Sequence, residues 1–445
     1  MSKGLSLLLY NLLLPPGLLA AVPGFVVKMK RRGGYGPGFS QRFGRYAAGT
    51  LPSDLERPIW IHAVSVGEVL IANKLIAALR EVSPDVPVVL STTTSTGHSV
   101  ACNHAEDSNV RVIYNPVDLP WVVGRAFDEI RPSVIVLVEA EVWPNLVSRA
   151  VRDNIPVHLV NARLSPRSER RYRKFRALVA PVFGMLSSVC VPEPEEVSRW
   201  ASLGVDEERI TVTGSIKFDQ EGAAAADPGM ISKFRGFLGG LFGSELPPMI
   251  LAASTHAGEE AAIGEVFLQL KQRFPDLVYL VVPRHFERAG EVMEELRAIG
   301  LSPCLRSSLP LRERDAQPDT VIINTTGELR AWQEIPNIVI IGKSFLAKGG
   351  QNPVEAVAAG VPVIAGPHME NFAALMTLLE KHGGITRIED MGFLSDAVAD
   401  ILDRPERALE QATAAREALK THRGATKKTA GLVLANSIAA TSHAG

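Results

Sequence analysis

The 445-residue chain has few of the residues that build disulfide or zinc scaffolds. Its three cysteines are far apart and include no CxxC pair, which excludes a disulfide framework and a zinc ribbon and favours a reducing compartment. It also has no HExxH motif, so no metal site is predicted. Its 47 basic and 48 acidic residues leave a net charge of -1. Nucleic-acid-binding domains are normally basic as a whole, so nucleic acid is not an expected partner.

Charge is missing over one long stretch at the N-terminus. Residues 4–27 carry no charged side chain, and a helix needs about 20 apolar residues to cross a bilayer. Only Lys3 precedes the run, whereas a secretory signal has its positively charged region before the apolar segment. Four cations follow it: Lys28, Lys30, Arg31 and Arg32. This charge order predicts a membrane anchor with the rest of the chain in the cytoplasm. Prolines at 15, 16 and 23 also permit a shallow insertion at the surface, so a spanning anchor and a surface-lying anchor both remain open. The alternative to membrane attachment is a buried N-terminal helix, which the length of the apolar run makes the less favoured of the two.

From residue 57 onward, short β-branched runs alternate with amphipathic helical patterns, as in doubly wound α/β domains. The apolar runs lie at 58–64, 86–92, 110–114, 133–139, 155–161 and 188–192, and then at 248–254, 278–283, 320–324, 337–342 and 361–366. A Gly- and Ala-rich segment interrupts the pattern. We therefore expect two Rossmann-like domains facing a cleft. The predicted division is an anchor and basic flank at 1–32, domains at 33–218 and 248–404, a linker at 219–247, and a C-terminal helix at 405–445 that joins the halves.

The sequence AVSVGE at 63–68 follows the first predicted strand and has three interpretations. Ser65 and Glu68 have the S-x-x-E spacing of a capping box, which is a structural role. Glu68 also stands at the carboxyl edge of the sheet, where such folds bind ligands, so it is a candidate general base. The segment weakly resembles a hydrolase nucleophile elbow centred on Ser65, with Ala63 in place of the first glycine. Spacing alone favours the cap.

Polar residues also follow three strands of the second half. The sequences ASTHAGEE at 253–260 and VVPRH at 281–285 place hydroxyls, histidines and an arginine at strand ends, namely Ser254, Thr255, His256, Arg284 and His285. The carboxyl ends of parallel strands meet at one edge of a sheet. We therefore expect these groups to form one phosphate-sized region.

The sequence GGQNPVE at 349–355 has the pattern of a helix start. Asn352 as N-cap and Glu355 at N3 predict the first turn. Gly349 and Gly350 before it allow a ligand to approach the backbone, and a helix N-terminus attracts phosphate. The segment therefore favours an anion site. The sequence IVIIGKS just upstream ends like a phosphate loop, but Asn337 stands where that motif requires its first glycine.

The first half carries an acidic and a basic segment after neighbouring strands. The sequence VEAEVWPN places Glu139 and Glu141 behind the fourth strand. Residues 161–176 contain seven cations, Arg163 and Arg167 among them, against the single Glu169. Such a run is usually a solvated helix face. Beside a membrane anchor it fits anionic lipid head groups at least as well.

Nine motifs occur in the order seen in the 3-deoxy-D-manno-octulosonic acid (Kdo) transferases of Gram-negative bacteria, and the resemblance covers nearly the whole chain. They are HAVSVGE, VEAEVWPN, NARLSPRS, TVTGSIKFD, ASTHAGEE, VVPRHFER, NTTGEL, GGQNPVEA and GPHMENF. The resemblance implies a GT-B glycosyltransferase that moves Kdo from CMP-Kdo to a lipid A precursor. It further implies an inverting reaction without a metal or other cofactor, at the cytoplasmic face of the inner membrane.

The resemblance also implies roles for individual residues. Glu68 matches the family's proposed base, which reverses the preference for a cap. Arg284 would bind the donor's phosphate or carboxylate, Glu355 the ribose hydroxyls, and Glu141 would organise the acceptor side. The full donor set is Ser254, His256, Arg284, His285, Lys343, Gly349, Gly350, Asn352 and Glu355. The acceptor set is Ser65, Glu141, Arg163 and Arg167.

Two residues depart from the family pattern. Lys343 stands where many relatives have a second glycine, and Gln351 where they have histidine. Lys343 adds a cation near the expected phosphate, whereas Gln351 cannot titrate. Three alternatives therefore stay open: a GT-B transferase for another activated sugar, a serine hydrolase at Ser65, and a non-catalytic lipid-binding relative.

Overall fold

The computed structural model describes residues 2–31, 36–51, 56–105, 109–219, 226–308 and 317–442. In this part of the chain the strands form two sheets of seven strands each, and every pairing is parallel. The strands are β1 (Ile59–Ala63), β2 (Val88–Thr92), β3 (Val110–Tyr114), β4 (Val134–Val138), β5 (Val157–Val160), β6 (Ser188–Val191), β7 (Ile210–Val212), β8 (Met249–Thr255), β9 (Val278–Pro283), β10 (Pro303–Leu305), β11 (Thr320–Ile322), β12 (Ile338–Ile341), β13 (Val363–Ala365) and β14 (Thr386–Arg387).

Helices cover the sheets. They are α1 (Lys3–Arg31), α2 (Val66–Val82), α3 (Ser95–His104), α4 (Pro120–Ile130), α5 (Pro144–Arg152), α6 (Pro166–Lys174), α7 (Arg176–Phe183), α8 (Pro194–Ser202), α9 (Pro228–Phe242), α10 (Glu259–Lys271), α11 (Ala289–Ala298), α12 (Leu329–Trp332), α13 (Val354–Ala359), α14 (Ala373–Lys381), α15 (Leu394–Asp403), α16 (Pro405–Lys420) and α17 (Ala425–Ser442). Short 3-10 helices lie at Gly36–Phe43, Glu207–Arg209, Phe286–Arg288, Arg306–Ser308, Glu370–Phe372 and Met391–Phe393.

The chain divides into two compact units. The first unit comprises Met1–Glu221 and His422–Gly445, and the second comprises Gly222–Thr421. The first contains β1–β7, α1–α8 and α17, and the second contains β8–β14 and α9–α16. The predicted class, α/β with two doubly wound Rossmann-like domains of the GT-B type, is confirmed.

Both sheets are doubly wound. The strand orders are β3-β2-β1-β4-β5-β6-β7 and β10-β11-β9-β8-β12-β13-β14. In the first sheet the chain moves outward from β1 and then returns to its other side at β4. The second sheet reverses in the same way between β8 and β12. Ligands of such sheets bind outside the carboxyl ends of the strands at these switch points.

The strands are apolar on both faces because helices cover both faces. Trp60 of β1 lies in a core with Phe127 of α4, their ring centroids 5.6 Å apart, whereas its neighbour Ile61 lies in a second core with Leu75 of α2. Alternate residues of a strand point to opposite sides of the sheet. Burial on both sides therefore produces the continuous apolar runs of the sequence.

Two segments differ from the predicted division. The segment 219–247, expected to be a linker, contains α9, whose Phe234 stacks on Trp332 of α12 at 4.3 Å. Its residues 220–225 lie outside the described part. The single C-terminal helix expected at 405–445 is two helices. α16 packs on α13, α14 and α15 of the second unit, whereas α17 packs on α2 of the first.

A carboxylate binds the backbone at the start of the last helix. Asp219 accepts hydrogen bonds from the backbone N–H groups of Gly424 at 3.0 Å and Thr426 at 2.7 Å. It therefore binds donor groups at the start of α17 that have no partner inside the helix. Gly424 has a φ of +76°, a left-handed conformation that glycine adopts without strain.

Among the described helices, α1 is long and apolar enough to cross a membrane. Its window Lys3–Ala20 has a mean hydropathy of 1.2. Length and composition do not distinguish a membrane span from a signal sequence or from the core helix of a folded domain. The side chains at 28–31 and residue 32, which form the predicted basic flank, lie outside the described part. α1 packs against α5 and α7.

Candidate active site

Glu68 lies in the first turn of α2, directly behind β1 and next to the switch point of the first sheet. Its Oε2 accepts the backbone N–H of Val64 at 2.8 Å, and its Oε1 accepts the hydroxyl of Ser65 at 2.9 Å. Ser65 is the N-cap of α2, and its oxygen accepts the N–H of Glu68 at 3.5 Å. The capping interaction and the placement at the ligand-binding edge are thus both present. The hydroxyl of Ser65 thus caps α2 and also donates a hydrogen bond to the carboxyl group of Glu68.

The environment of Glu68 raises its pKa to about 7, chiefly because the side chain is buried. Glu68 is 8% exposed. The nearby carboxylates of Glu139 and Glu141 raise the pKa further, whereas the hydrogen bonds from Val64 and Ser65 lower it. A carboxylate with a pKa near neutrality is both ionised in part and basic enough to take a proton in catalysis.

Two more carboxylates stand behind β4, on the other side of the switch point. Burial raises the pKa values of both Glu139 and Glu141. Lys217 and Arg163 lower the pKa of Glu139, and Arg171 lowers that of Glu141. The first unit therefore has an acidic cluster, defined as Glu68, Glu139 and Glu141, with cations beside it.

The backbone at this edge is strained. Glu139 has a φ of +61° and Asn161, behind β5, has a φ of +51°. Residues other than glycine seldom adopt this region, and such strain is concentrated at functional sites. Asn161 uses its side-chain oxygen to accept the backbone N–H of Ile216 at 3.1 Å.

A lysine on α2 holds the segment that presents Lys217. The ammonium of Lys74 donates to the carbonyl oxygens of Ile216, Lys217 and Asp219 at 3.2, 3.3 and 3.2 Å. Lys74 and Lys217 are functional candidates that the sequence reasoning missed. The motif TVTGSIKFD contains Lys217, but its proximity to Glu139 depends on contacts between distant parts of the chain.

The second unit has the same kind of strained edge at its own switch point. Ser254 has a φ of +57° at an irregularity near the end of β8, and Lys343 has a φ of +54° just behind β12. Ser254 thus lies inside the end of β8, and Lys343 follows β12, which is the neighbour of β8 in the sheet. Both were predicted donor-site residues, and the strain marks this edge as a candidate functional site.

A fully buried carboxylate connects the two strained segments. Glu259, 0% exposed, accepts the backbone N–H groups of His256 at 3.0 Å and Lys343 at 2.6 Å through one oxygen, and that of Phe345 at 3.2 Å through the other. Glu259 was not predicted. Its position in the motif ASTHAGEE, in the first turn of a helix, was the only signal in the sequence.

Arginine, lysine and histidine side chains gather around this edge. The backbone N–H of Arg284, behind β9, donates to the carbonyl of Thr255 at 2.9 Å. The rings of His256 and His285 lie 6.3 Å apart, and the side chains of Arg284 and His285 are exposed. Burial and the charge of Lys343 lower the pKa of His256. The second unit therefore brings together His256, Arg284, His285 and Lys343 where an anion can approach.

Gln351 occupies a structural position at this edge. Its side-chain Nε2 lies 3.0 Å from Nε2 of His256. The amide donates to the ring, so this histidine nitrogen is the acceptor and the proton of the neutral ring lies on Nδ1. Gln351 thus orients His256 without adding a charge.

The two glycines predicted to face a ligand have a structural role in their own loop. Gly349 and Gly350 have φ values of +113° and +70°. A side chain at Gly350 would meet the sulfur of Met369. The N–H of Gly349 donates to Glu370 at 2.7 Å and that of Gly350 to the carbonyl of Lys343 at 3.1 Å. The described contacts therefore account for both glycines.

The helix expected to begin at Asn352 starts two residues later. α13 begins at Val354, is six residues long and has Pro353 as its N-cap, while Asn352 accepts the N–H of Val354 at 3.2 Å. A helix this short has a weaker dipole than a long one. Glu355 lies in its first turn and accepts from Arg330 at 3.2 Å.

The remaining predicted acceptor residues are exposed. Arg163 follows β5 and lies near enough to lower the pKa of Glu139. Arg167 is exposed on α6, and no described contact joins it to the acidic cluster. Among the described residues, no group of three or more His, Cys, Asp or Glu side chains is arranged to hold a metal ion.

The fold and the two edges define a class of protein, a two-domain α/β protein with a polar, strained edge at the switch point of each sheet. The comparisons define the family. A model described as "3-Deoxy-D-manno-octulosonic-acid transferase (kdotransferase)" matches residues 37–220. The transferase of that name from Bordetella pertussis is 33% identical over 413 residues, which cover 90% of this chain and 92% of the relative. That from Haemophilus influenzae is 31% identical over 380 residues, 85% of each chain. The chain belongs to the Kdo transferase family.

Among solved structures, the C-terminal CMP-Kdo binding domain of WaaA from Acinetobacter baumannii is similar to part of this chain. It is 27% identical and covers 43% of this chain and 99% of its own, with a TM-score of 0.40.

Proposed function

We propose that this chain transfers Kdo from CMP-Kdo to a lipid A precursor, with inversion of the anomeric centre and without a metal ion. The observation that carries the proposal is the buried carboxyl group of Glu68, with a pKa of about 7, at the switch point of the first sheet. Family membership supports Kdo as the transferred sugar.

In the proposed reaction, the carboxylate of Glu68 removes the proton from a hydroxyl of the acceptor. The hydroxyl oxygen forms a bond to the anomeric carbon of Kdo while the bond from that carbon to the phosphate oxygen breaks. The bonding electrons leave with CMP, and the proton remains on Glu68. General base catalysis of this kind typically contributes about 10² to 10⁴ in rate.

The second unit is the proposed donor site. CMP-Kdo carries a phosphate and a carboxylate, and the cations of Arg284 and Lys343 complement both charges. Charge on the phosphate grows as the bond to Kdo breaks, so preorganised donors at this edge favour the transition state over the bound substrate. His256, held by Gln351 and Glu259, adds a donor in a fixed position.

The first unit is the proposed acceptor site. Arg163 and Arg167 belong to a segment with seven cations and one Glu, and α6 in that segment exposes most of them. A lipid A precursor is an anionic lipid, and basic surfaces attract anionic head groups. This charge pattern and the apolar α1 support a location at the cytoplasmic face of the inner membrane.

Mass spectrometry tests the proposal directly. Purified protein incubated with CMP-Kdo and a lipid A precursor should add mass in steps of one Kdo residue. Glu68→Gln should abolish most of the product, whereas Glu81→Gln, the same change at an exposed position of α2, should form product at the normal rate. Absence of any Kdo-sized step would contradict the proposed donor and acceptor.

Lys343 and Gln351 stand where the resemblance led us to expect glycine and histidine, so transfer of another activated sugar is the alternative to be tested. Calorimetry with CMP-Kdo and with UDP-sugars separates the two, because the proposed donor should bind and the UDP-sugars should not. The hydrolase alternative finds no support at Ser65. Its hydroxyl donates to Glu68 and caps α2, whereas the serine of a Ser-His-Asp triad donates to a histidine that takes its proton.

A further inference from the structure

The N-terminal helix α1 is joined to the first unit by polar contacts in the middle of its apolar window. The side chains of Asn11 and Asn145 form a reciprocal amide pair, with N to O distances of 3.0 and 2.7 Å. One position earlier, the hydroxyl of Tyr10 donates to the carboxylate of Asp118. These four residues are called the polar latch here. The latch lies near the centre of the window Lys3–Ala20.

The partners of α1 in the latch belong to the folded body of the unit. Asp118 is 3% exposed and accepts the backbone N–H groups of Asn145 and Leu146, both at 2.9 Å. Asn145 also donates to the carbonyl of Asp118 at 2.6 Å. α1 is thus bound to the start of α5 by a network in which the described polar groups are paired.

A helix docked in this way cannot cross a bilayer along the same window. Crossing would place Tyr10 and Asn11 near the bilayer centre, together with Asp118 and the arginines of α5 at 149 and 152. Ionisable groups at that depth are costly, and irregular backbone facing lipid does not occur there. The contacts of α1 with α5 and α7 therefore require the helix to run along the unit.

The opposite side of α1 is an apolar face, called the leucine face here. Its members follow a helical spacing of three or four residues, so they share one side of the helix. The leucine face consists of Leu5, Leu8, Leu9, Leu12, Leu13 and Leu19, which are 37–73% exposed. An amphipathic helix with such a face typically lies in the plane of the membrane with that face about 5–10 Å deep.

Positively charged residues near α1 indicate what the leucine face binds. α7, against which α1 packs, follows directly on α6. α6 and the first residue of α7 expose six cations, and the neighbouring Phe175 is 51% exposed. The exposed leucine face of α1, together with the exposed cations that precede and begin its neighbour α7, complements the acyl chains and head groups of an anionic leaflet.

We infer that α1 lies in the surface of an anionic membrane leaflet, docked on its own domain by the polar latch, and does not span the bilayer. The inference deepens the proposed membrane location and rests on that part of the proposed function. The helix then holds the first unit against the surface from which a lipid acceptor is taken.

Cysteine labelling from the two sides of the membrane tests the orientation. Cys102 is exposed on the body of the first unit and reports which side the body occupies. In a Ser2→Cys variant, an impermeant maleimide is applied to right-side-out and to inverted membrane vesicles, and peptide mapping separates the sites. We expect residue 2 and Cys102 to be labelled in the same preparation. Labelling in opposite preparations would mean that the helix spans, and would overturn the inference.

The double change Tyr10→Phe and Asn11→Leu removes the side of the latch that α1 contributes and leaves only Lys3 and Ser6 as polar side chains in the window. In the Ser2→Cys background it should move a measurable fraction of residue 2 to the opposite side from Cys102. No change in sidedness would refute the role of the latch. The matched change on the other face, Leu8→Glu with Leu12→Glu, should reduce sedimentation with vesicles of phosphatidylglycerol and phosphatidylethanolamine at least tenfold without lowering Tm.

Two further outcomes decide the nature of the occupant. If the unaltered chain stays in the supernatant as a dimer, the leucine face binds a second copy and the membrane inference fails. None of these measurements requires turnover. A protein that binds the vesicles, with residue 2 and Cys102 on the same side, but adds no Kdo would refute the proposed reaction and leave this inference standing.

Discussion

Glu68→Gln should make the protein both less active and more stable at alkaline pH. The amide has nearly the same shape and keeps an acceptor for the N–H of Val64 and a donor for Ser65, so the cap of α2 should persist. It cannot take a proton from an alcohol. We expect kcat to fall by about 10² to 10⁴, the usual range for a general base.

The pKa of Glu68 sets the pH dependence of the unaltered enzyme. With a pKa of about 7, the active carboxylate form makes up about one-tenth of the free protein at pH 6 and nine-tenths at pH 8. The value of kcat/KM should therefore rise roughly tenfold between these two pH values. A profile that stays flat across this range would contradict the assignment.

The same shift determines the sign of the stability change. The folded pKa lies above the ordinary value of 4.5, so the folded state binds the proton more tightly than the unfolded state. Its contribution to stability is present below pH 4.5 and is lost as the pH rises through about 7. A shift of about 2.5 units at 1.36 kcal/mol each corresponds to at most about 3 kcal/mol at pH 8.

The glutamine side chain of the variant carries no charge, so the variant avoids the cost of burying an ionised carboxylate at high pH. Its Tm should therefore exceed that of the unaltered protein at pH 8 by up to roughly 5–10 °C, and the difference should vanish near pH 4. Scanning calorimetry across pH measures the difference, and Glu81→Gln provides the control. The reasoning fails if the variant turns over normally, or if its Tm falls by the same amount at every pH.

Three other changes test the neighbouring contacts. Glu259→Gln points an amide at backbone N–H groups and leaves at least one of them unpaired, which costs about 1–3 kcal/mol. The KM for CMP-Kdo should rise roughly tenfold in initial-rate assays, and an unchanged KM would rule out a role in shaping the donor site. Lys217→Met removes a cation and should raise the pKa of Glu139 further, as followed by carboxyl ¹³C NMR; an unaltered titration would exclude the contact. Asp219→Ala removes the carboxylate at the start of α17 and should lower the free energy of unfolding, measured in urea, by about 1–2 kcal/mol. An unchanged free energy of unfolding would mean that water replaces the carboxylate without cost, and would contradict the prediction.

The local pattern of the sequence was sufficient for most of the architecture. Strands buried on both faces must be apolar throughout, so the runs around β1, β4, β8 and β12 were recognisable before any contact was known. The edge strands β7, β10 and β14 were missed. They have two or three residues each, which is too short for a pattern to emerge above the surrounding loops.

Candidate side chains at strand ends were also accessible from the sequence, because polar residues directly behind apolar runs stand out. Glu68, His256 and Arg284 were found in this way. Glu259 and Lys74 were not, since a buried carboxylate in a first helical turn and an exposed lysine on α2 look ordinary until their backbone partners are known. The start of α13 was misplaced because Asn352 forms a local turn in place of a cap.

The sequence by itself determined the order of the elements, the two doubly wound sheets and the identity of the family, since these follow from periodicity and from motifs read along the chain. Only the tertiary structure decided the chemistry of Glu68, the separation of α16 from α17, and the docking of α1. Each of these depends on groups distant in sequence. Burial and the charge of Glu139 raise the pKa of Glu68. Asp219 binds the start of a helix more than 200 residues away, and Asn145 pairs with Asn11 across 134 positions.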